Sequence, residues 1–219
     1  MSAGPSRVTR GHPWFAATYD FVMNGAESSD LGVMRRDLLQ RVAGRVLEVG
    51  VGTGVNLNHY PAAIELLVAT EPDPFMLTRA VRRAAKERRS VELLQSLAEE
   101  LPFQDAAFDA VVATLVFCTV ADVRRALHEV RRVLRPGGSF FFIEHVRGSG
   151  WLGTLHDVIA PVWRYVGAGC HPNRRTELSV KEAGFDIVEV QRQRLGLTPV
   201  IVGIATLAPD RHRRLSSSR

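Results

Sequence analysis

Two spacings of apolar residues alternate along the 219-residue chain. Short, nearly continuous apolar runs have the length of buried strands, whereas longer stretches repeat their apolar residues every three or four positions, as amphipathic helices do. The strand-like runs cover residues 46–49, 64–70, 91–95, 108–114, 139–143, 185–193 and 200–207. The helical stretches cover residues 14–23, 31–42, 55–60, 75–88, 123–134, 151–166 and 176–184. Strands that alternate with helices in this way predict an α/β fold.

Composition limits the number of domains. With 46% hydrophobic residues, the chain has enough apolar material for one globular core, and we predict a single domain over residues 13–208. Residues 1–12 are small, polar and interrupted by proline and glycine, and residues 209–219 are rich in arginine and serine. Both ends are therefore predicted to be disordered.

The net charge of +5 comes from basic residues that are spread along the helices, for example in Arg35-Arg36 and Arg131-Arg132. Such pairs, without exposed aromatic residues between them, predict no nucleic-acid partner and at most a peripheral contact with an anionic membrane. The two cysteines have no paired spacing, which argues against a disulfide framework. No apolar run reaches the length of a signal peptide or a membrane span, so the predicted location is the cytoplasm. The oligomeric state is not predicted.

The main candidate for ligand binding is the run 45–54, Arg-Val-Leu-Glu-Val-Gly-Val-Gly-Thr-Gly. Its first half predicts a buried parallel strand, and its three alternate glycines allow the backbone to turn sharply close to a ligand. A dinucleotide fingerprint would place its third glycine at position 55, which is Val55, and this disfavours a dehydrogenase. A phosphate-binding P-loop is excluded because no lysine lies between Gly50 and Tyr60.

Residues beyond the glycines extend this candidate site. Glu71 ends the second predicted strand, about 20 residues past the loop, where an acidic side chain accepts hydrogen bonds from ribose hydroxyls. The short helix after the loop presents backbone N–H groups to an anionic group, and Asn56 adds a side-chain donor there. Met76, in the first turn of the next helix, either covers an adenine ring or belongs to the core.

The alternate glycines behind a strand with a terminal acidic residue resemble motif I of the class I S-adenosylmethionine-dependent methyltransferases, with Glu48 where many members carry aspartate. The resemblance implies S-adenosyl-L-methionine as the cofactor. It also implies a Rossmann-like, seven-stranded and mostly parallel sheet with helices on both faces, N-terminal cap helices and a C-terminal antiparallel hairpin. Together with the resemblance, these arguments place the following residues at the cofactor: Tyr19, Glu48, Gly50, Gly52, Gly54, Asn56, Glu71, Pro72, Met76, Ser96, Leu97, Ala98, Thr114 and Leu115.

Two parts of this resemblance leave alternatives open. Tyr19 and Asp20 are similar to a pair that lies beside the cofactor in quinone-biosynthesis methyltransferases, although core packing explains Tyr19 equally well. In the family, the loop after the third strand often reads Gly-Asp-Ala-Glu-x-Leu-Pro-Phe, and its aspartate accepts from the adenine amino group. Leu97 replaces that aspartate here, so the backbone of Leu97 and Ala98 or the hydroxyl of Ser96 would have to make the contact. We expect this departure to weaken cofactor binding.

The later half of the chain resembles the membrane-associated thiol S-methyltransferases. The resemblance lies in residues 114–118 (Thr-Leu-Val-Phe-Cys), residues 144–146 (Glu-His-Val) and the run from Trp151 through a Gly-Cys turn to Arg174. It implies that residues 147–184 form an insertion over the acceptor. The candidate acceptor-binding residues are Phe117, Cys118, Trp163, Cys170, His171 and Arg174. The chain lacks the N-terminal hydrophobic anchor of those proteins, so their membrane residence is not expected.

Strand ends also indicate the position of the chemistry, because open α/β sheets bind ligands outside the carboxyl ends of their strands. Thr114 and Leu115 end the fourth strand, and His145 ends the fifth. His145 is therefore the candidate catalytic base, although a histidine at this position can also hold a neighbouring loop. We predict no metal site, because no two of the histidines and cysteines have the spacing of metal ligands along the chain. The Leu-Arg-Pro-Gly-Gly run at 134–138, another family hallmark, predicts a turn into the fifth strand.

The expected chemistry favours a soft acceptor. Methyl transfer from a sulfonium is an in-line displacement that needs alignment more than acid–base help. A thiol, with a pKa of about 8.5, loses its proton near neutrality, whereas a hydroxyl or carbon acid needs a strong base. We therefore predict a small, lipophilic thiol or sulfide as the acceptor. The alternatives are C- or N-methylation of a quinone precursor or a phospholipid amine, a non-catalytic cofactor-binding module, and a nicotinamide oxidoreductase, which Val55 disfavours.

Overall fold

The computed structural model describes residues 30–166, 169–196 and 198–207, except for the side chains of residues 162–166. Several predictions lie outside the described residues: the helix over 14–23 with Tyr19, the disordered ends 1–12 and 209–219, and the side chain of Trp163.

Strands and helices alternate along the described residues as the apolar pattern predicts. The strands are β1 (Arg45–Val49), β2 (Leu66–Thr70), β3 (Glu92–Leu94), β4 (Phe108–Thr114), β5 (Leu134–His145), β6 (Phe185–Leu195) and β7 (Thr198–Leu207). The helices are α1 (Asp30–Leu39), α2 (Pro74–Glu87), α3 (Val123–Val133), α4 (Gly150–Val166) and α5 (Thr176–Glu182). A short 3-10 helix, η1, covers Val55–Asn58.

All seven strands form one sheet in the order β3-β2-β1-β4-β5-β7-β6. Strands β1 to β5 pair in parallel, whereas β7 runs antiparallel to both β5 and β6. The predicted fold class, including the C-terminal antiparallel hairpin, is therefore confirmed. Because the first five strands are parallel, their carboxyl ends lie at one edge of the sheet, and the glycine loop, Glu71, Thr114 and His145 all lie at that edge.

The start of β5 differs from its prediction. Leu134, which ends α3, already has an extended backbone (φ −74°, ψ 133°) and pairs with Phe108 at the start of β4. The next pair in register joins Ser139 to Ala110, so residues 135–138 bulge out of the ladder. The predicted turn at 134–138 is wrong in this respect, because the chain enters the sheet as soon as α3 ends.

Apolar clusters cover both faces of the sheet. Leu47 packs in one cluster with Leu127 of α3 and Val180 of α5, whereas its neighbour Val46 packs in the other with Leu31 of α1. Successive residues of a strand point to opposite faces, so both faces of the central strands are buried. This burial explains why the strands appear in the sequence as continuous apolar runs.

Candidate active site

The glycine loop between β1 and η1 is a sharp turn in which all three glycines have positive φ angles. Gly50, Gly52 and Gly54 have φ values of 69°, 57° and 84°, a region that residues with a Cβ rarely adopt. The loop is held to the sheet by the N–H of Val51, which donates to the carbonyl oxygen of Thr70 at 2.9 Å. The spacing of the glycines therefore follows from the backbone conformation of the loop.

The three glycines differ in what surrounds them. A Cβ on Gly50 would lie 2.6 Å from Cγ2 of Val116, and a Cβ on Gly54 would lie 2.9 Å from Cδ1 of Leu57. A Cβ on Gly52 would have no neighbouring atom within 4 Å. Packing thus requires two of the glycines, whereas Gly52 faces open space in which a ligand can approach the backbone.

Glu71 connects the end of β2 to this loop. Its Oε2 accepts from the N–H of Gly52 at 2.9 Å, and its Oε1 accepts from the N–H of Asp73 at 3.0 Å. Burial raises the pKa of Glu71 to about 7, against the effect of these two hydrogen bonds. Each carboxylate oxygen has a further lone pair, so the predicted hydrogen bonds to ribose hydroxyls are compatible with this arrangement.

Beneath the loop lies a buried polar network centred on Glu48. Its carboxylate accepts from Nδ2 of Asn56 at 2.7 Å and from the hydroxyl of Tyr60 at 3.0 Å. Arg35 of α1 donates to Oδ1 of Asn56 and to Oγ1 of Thr114, both at 2.7 Å. Burial raises the pKa of Glu48 to about 7. The network joins α1, β1, η1 and the end of β4.

This network changes the expectation for Asn56. The Nδ2 of Asn56 donates to Oε1 of Glu48 and to Oγ1 of Thr114, at 2.7 and 3.0 Å. Both amide hydrogens of Asn56 therefore bond within the protein, and neither is left to donate to the cofactor as predicted. Arg35, which organises the network, is not among the predicted site residues. Its place on the apolar face of α1, one turn after Leu31, is the sequence signal that distinguishes it from a solvated arginine.

The other predicted cofactor residues lie at the ends of β2 and β3. The N–H of Ser96 donates to the carbonyl oxygen of Glu71 at 3.4 Å, and Gln95 donates to the carbonyl oxygen of Pro72 at 2.9 Å. The Ser96 hydroxyl donates to the carbonyl oxygen of Glu100 at 2.9 Å. Ala98 and Met76 are buried, whereas Leu97 and Pro72 are half-buried. The fold thus brings the residues after β2 and β3 next to each other.

On the acceptor side, Glu144 holds the loop that follows β4. Its Oε1 accepts from the N–H groups of Val116 and Phe117 at 2.8 and 2.9 Å, and its Oε2 accepts from the N–H of Cys118 at 3.2 Å. The side chain is fully buried, and burial raises its pKa to about 7. Leu115 at the start of this loop has a φ of 60°, a strained conformation for a residue with a Cβ. Glu144 had no predicted role, since its partners are backbone groups that no side-chain motif reveals.

Two predicted acceptor-binding residues also hold this loop. The N–H of His171 donates to the carbonyl oxygen of Cys118 at 2.7 Å. The guanidinium of Arg174 donates to the carbonyl oxygens of Phe117 and Val120, the second at 2.6 Å. Burial lowers the pKa of Arg174. Apart from contacts with each other and a backbone hydrogen bond from Arg147 to Arg174, the described hydrogen bonds of these two residues are with the loop itself.

The remaining candidates meet at one point. The Sγ atoms of Cys118 and Cys170 and a ring nitrogen of His145 all lie within 4.8 Å of one another. The Sγ of Cys170 lies 3.9 Å from Nδ1 of His145. Contact with Cys170 and burial raise the pKa of the Cys118 thiol well above its usual range. The sequence argument against a metal relied on separation along the chain, and the fold brings these three side chains together despite that separation.

The helix α4, predicted to cover the acceptor, has both buried and exposed apolar residues. Leu152 and Ala160 are buried, whereas Trp151, Leu155 and Val158 are exposed at 74%, 41% and 71%. Pro161 lies within the helix, as predicted. No helix in the described part of the chain, α4 included, is both long enough and apolar enough to cross a membrane.

Comparisons with known proteins agree with this geometry. Residues 47–142 match the family model described as a methyltransferase domain. Thiol S-methyltransferase TMT1B of Homo sapiens is 32% identical over 173 residues, which cover 73% of this chain and 70% of that protein. Phosphatidylethanolamine N-methyltransferase of Cereibacter sphaeroides is 34% identical over 181 residues, which cover 79% of this chain and 85% of that protein.

A solved structure shows the same fold. A SAM-dependent methyltransferase of Thermotoga maritima superposes with a TM-score of 0.66 at 23% identity, over 88% of this chain and 97% of that one. A seven-stranded mixed sheet with a glycine loop at its carboxyl edge is the α/β architecture of the methyltransferase type. The chain belongs to the S-adenosylmethionine-dependent methyltransferases, and it is an enzyme of that family. The nicotinamide oxidoreductase considered from the sequence is thereby excluded.

Proposed function

We propose that this enzyme transfers the methyl group of S-adenosylmethionine to the sulfur atom of a small, lipophilic thiol. The observation that carries the proposal is the convergence of Cys118, His145 and Cys170 beside the ends of β4 and β5. On these residues the chain resembles thiol S-methyltransferases, and the human relative carries that activity in its name. The position of the three side chains at the carboxyl edge of the sheet is where the acceptor would meet the cofactor.

The glycine-loop side of the edge is proposed to hold the cofactor. Gly52 leaves room for a ligand against the backbone, and Glu71 would accept hydrogen bonds from the ribose hydroxyls. The segment from Ser96 to Ala98, which adjoins Glu71, would contact the adenine. The bound cofactor supplies a methyl carbon that is already activated by a positively charged sulfur. Glu48 and Thr114 support the loop from below through the Arg35 network.

The acceptor side has to align a sulfur nucleophile and remove water from it. Alignment of the two reactants supplies most of the acceleration in such a displacement. The loop that carries Phe117 and Cys118 is held by Glu144 and Arg174, so its position is well defined before any substrate binds. A thiol with a pKa of about 8.5 gives up its proton easily, and His145 is the candidate side chain to receive it.

A phospholipid amine is the second candidate acceptor. The bacterial relative is named for phosphatidylethanolamine, and Trp151 and Val158 of α4 expose apolar side chains that a lipid could contact. An amine, however, is protonated near neutrality and has to lose that proton before it can attack. Glu144 is poorly placed to help, because its two oxygens already accept three backbone N–H groups. A thiol therefore fits the described groups better.

The test is a comparison of acceptors with the purified chain and methyl-labelled S-adenosylmethionine. The panel contains alkyl and aryl thiols, the alcohols of the same carbon skeletons, hydroquinones, and vesicles that contain phosphatidylethanolamine. We expect label in the thioethers and none in the matched alcohols. Label in the lipid amine or the hydroquinone, with none in any thiol, would overturn the proposal.

A binding control separates a wrong acceptor from an inactive preparation. Calorimetric titration with S-adenosylhomocysteine should give binding by the wild-type chain and weaker binding by the Glu71→Ala variant, which loses the proposed ribose contact. The His128→Gln variant, altered at an exposed site on α3, should bind and react as the wild type does.

A further inference from the structure

The two cysteines and His145 form a cluster that the proposed methyl transfer does not by itself require. A thiol substrate needs a group that accepts its proton, and His145 alone would serve. Yet the sulfur atoms of both cysteines lie within 4.8 Å of a ring nitrogen of His145 and of each other. These are the chain's only two cysteines, and they come from the loop after β4 and the segment before α5. Their meeting with the end of β5 therefore depends on three separate parts of the fold.

We propose that Cys118, His145 and Cys170 bind a Zn²⁺ ion, and that the thiol acceptor takes the fourth ligand position. The second half of this inference rests on the proposed function, whereas the metal site does not.

The distances are close to those of a zinc site. With Zn–S bonds of about 2.3 Å and Zn–N bonds of about 2.0–2.1 Å, tetrahedral geometry places ligand atoms about 3.5–3.8 Å apart. The measured separation of Cys170 Sγ and His145 Nδ1 is 3.9 Å, and the remaining separations do not exceed 4.8 Å. Shifts of about 1 Å or less in the side chains would complete the site.

The supports of the three ligands are rigid. The N–H of Cys118 donates to the buried carboxylate of Glu144, and its carbonyl oxygen accepts from the N–H of His171, next to Cys170. His145 is the last residue of β5 and pairs with Val200 of β7. Ligands held in this way by hydrogen bonds and sheet pairing keep their positions in the absence of the ion, as a metal site requires.

The ligand types select a soft divalent metal. Two thiolates and one imidazole are ligands that zinc prefers over calcium or magnesium, and two thiolates balance the charge of Zn²⁺. Arg174 and Glu144 also influence Cys118 electrostatically, and their charges have opposite signs. Cysteines bind zinc as thiolates, so metal binding has to release protons.

Three protein ligands leave one position of a tetrahedron open, which is typical of catalytic rather than structural zinc. Within the described residues, no other histidine, cysteine or acidic side chain joins this group. An acceptor thiol that occupies the open position loses its proton to solvent, since a coordinated thiol is deprotonated. Its sulfur then forms a bond to the methyl carbon, the bond from that carbon to the sulfonium breaks, and the electron pair stays on the nucleoside sulfur. His145 is then a metal ligand in place of the proton acceptor proposed above, and no protein base is needed.

The metal site is tested without any methyl transfer. The full chain is purified without chelators and its zinc content is measured, after which chelator-stripped protein is titrated with Zn²⁺ in a calorimeter. We expect one zinc ion per chain, release of protons on binding, and loss of the ion in Cys118→Ser, Cys170→Ser and His145→Gln. The His128→Gln variant should retain it.

Loading with Co²⁺ provides a direct signature. The chain has two cysteines, so thiolate-to-cobalt charge-transfer absorption can come only from them and should be lost in each serine variant. Circular dichroism of the same samples separates loss of the site from loss of the fold, and stripped wild-type protein provides a folded reference. Failure of folded, stripped wild-type protein to bind Zn²⁺, or a Cys118–Cys170 disulfide in protein purified under reducing conditions, would overturn the metal site.

The role of the fourth position is tested by activity at pH 6, where a free thiol is almost entirely protonated. Zinc-loaded enzyme should methylate thiols at least about tenfold faster than the stripped enzyme. Equal rates would overturn this role while leaving the metal site. If neither form methylates any thiol although zinc binds, the proposed function is wrong and the metal site stands.

Discussion

The two sides of the candidate site are built in different ways. The glycine-loop side is formed largely by consecutive residues, with Gly50, Gly52 and Gly54 in one turn and Glu71 at the end of the adjacent strand. On the acceptor side, Cys118, His145 and Cys170 meet from three segments that are distant in sequence. A short motif therefore specifies the first side, whereas the second depends on the packing of the whole domain.

The two sides of the site are also held in place in different ways. On the glycine-loop side, backbone conformation is the main support, because three positive φ angles strongly favour glycine. On the acceptor side, a single buried carboxylate, Glu144, holds three successive N–H groups.

The largest expected effect comes from removing that carboxylate. Glu144→Ala leaves the N–H groups of Val116, Phe117 and Cys118 without an acceptor in a buried position, and we expect a loss of about 3–5 kcal/mol in the free energy of unfolding. Urea unfolding of the variant and the wild type gives this difference. Cofactor binding, measured by calorimetry under conditions in which the variant is folded, should change much less than thiol methylation.

Glu144→Gln is the matched control for this experiment. Its side-chain oxygen can still accept from Val116 and Phe117, while its amide nitrogen would face the N–H of Cys118. Its loss of stability should therefore lie between those of the alanine variant and the wild type. If Glu144→Ala abolished cofactor binding as completely as methylation, the two sides could not be treated as separately built.

Two glycine substitutions then separate packing from ligand space on the other side. Gly50→Ala would place a Cβ 2.6 Å from Val116 at a positive φ, so we expect a loss of about 2–4 kcal/mol in the free energy of unfolding. Gly52→Ala meets no atom within 4 Å and should cost only the backbone strain, about 1–2 kcal/mol.

The two variants should differ in the opposite order when cofactor affinity is compared with stability. Gly50→Ala should lose more stability, whereas Gly52→Ala should lose more affinity than its loss of stability explains. The methyl group of Gly52→Ala would occupy the space proposed for the cofactor, so its dissociation constant should rise by more than its modest loss of stability suggests. Thermal unfolding and calorimetry on both variants provide the comparison. Unchanged cofactor affinity in Gly52→Ala would place the cofactor elsewhere on the sheet edge.

The success of the sequence predictions also differs between the two sides. The α/β order and the glycine loop were predicted from the residues themselves, since apolar spacing and backbone conformation are local properties. The seven-stranded sheet with its C-terminal hairpin was expected from the resemblance to the methyltransferases. The role of Arg35 was not predicted, because Arg35-Arg36 looks like any solvated pair unless the position of Arg35 after Leu31 is given weight. The bulge at residues 135–138 was mistaken for a turn, since proline and glycine favour both.

The acceptor side was predicted only as a set of separate residues. Resemblance to thiol S-methyltransferases selected Cys118, Cys170 and His145, but spacing along the chain gave no reason to expect them within 4.8 Å of one another. Such convergence is a property of the sheet order, in which β4 and β5 are neighbours, and of the segment before α5 that packs against their ends. Glu144 illustrates the same limit, because its partners are backbone groups.

A third prediction uses pH to probe the buried network beneath the glycine loop. Burial raises the pKa of Glu48 to about 7, so the folded protein holds this proton more tightly than the unfolded chain does. Its contribution to stability is fully present below a pH of about 4.5 and is lost as the pH rises through about 7, by about 1–3 kcal/mol. Urea unfolding at pH 5 and pH 7.5 measures the loss.

Glu48→Gln removes the titrating group and keeps its shape. The hydroxyl of Tyr60 can rotate to accept from the new amide, so the variant should fold. Its free energy of unfolding should fall less than that of the wild type between pH 5 and pH 7.5. The difference between the two decreases is the contribution of Glu48. Parallel pH profiles for both proteins would show that Glu48 is ionised in the folded state at pH 5.

The smallest effect concerns a departure from the family pattern in the loop after β3. Leu97 is half-buried next to Ser96, where the family often has an aspartate that accepts from the adenine amino group. Leu97→Asp should restore that hydrogen bond and tighten cofactor binding by about 1 kcal/mol, or about fivefold in the dissociation constant. Leu97→Ala, which removes the apolar side chain without adding an acceptor, is the control for calorimetry. If a single residue of the loop determines this contact, Leu97→Asp should bind the cofactor more tightly than both the wild type and Leu97→Ala. Equal affinities for the three proteins would show that the adenine does not contact this loop.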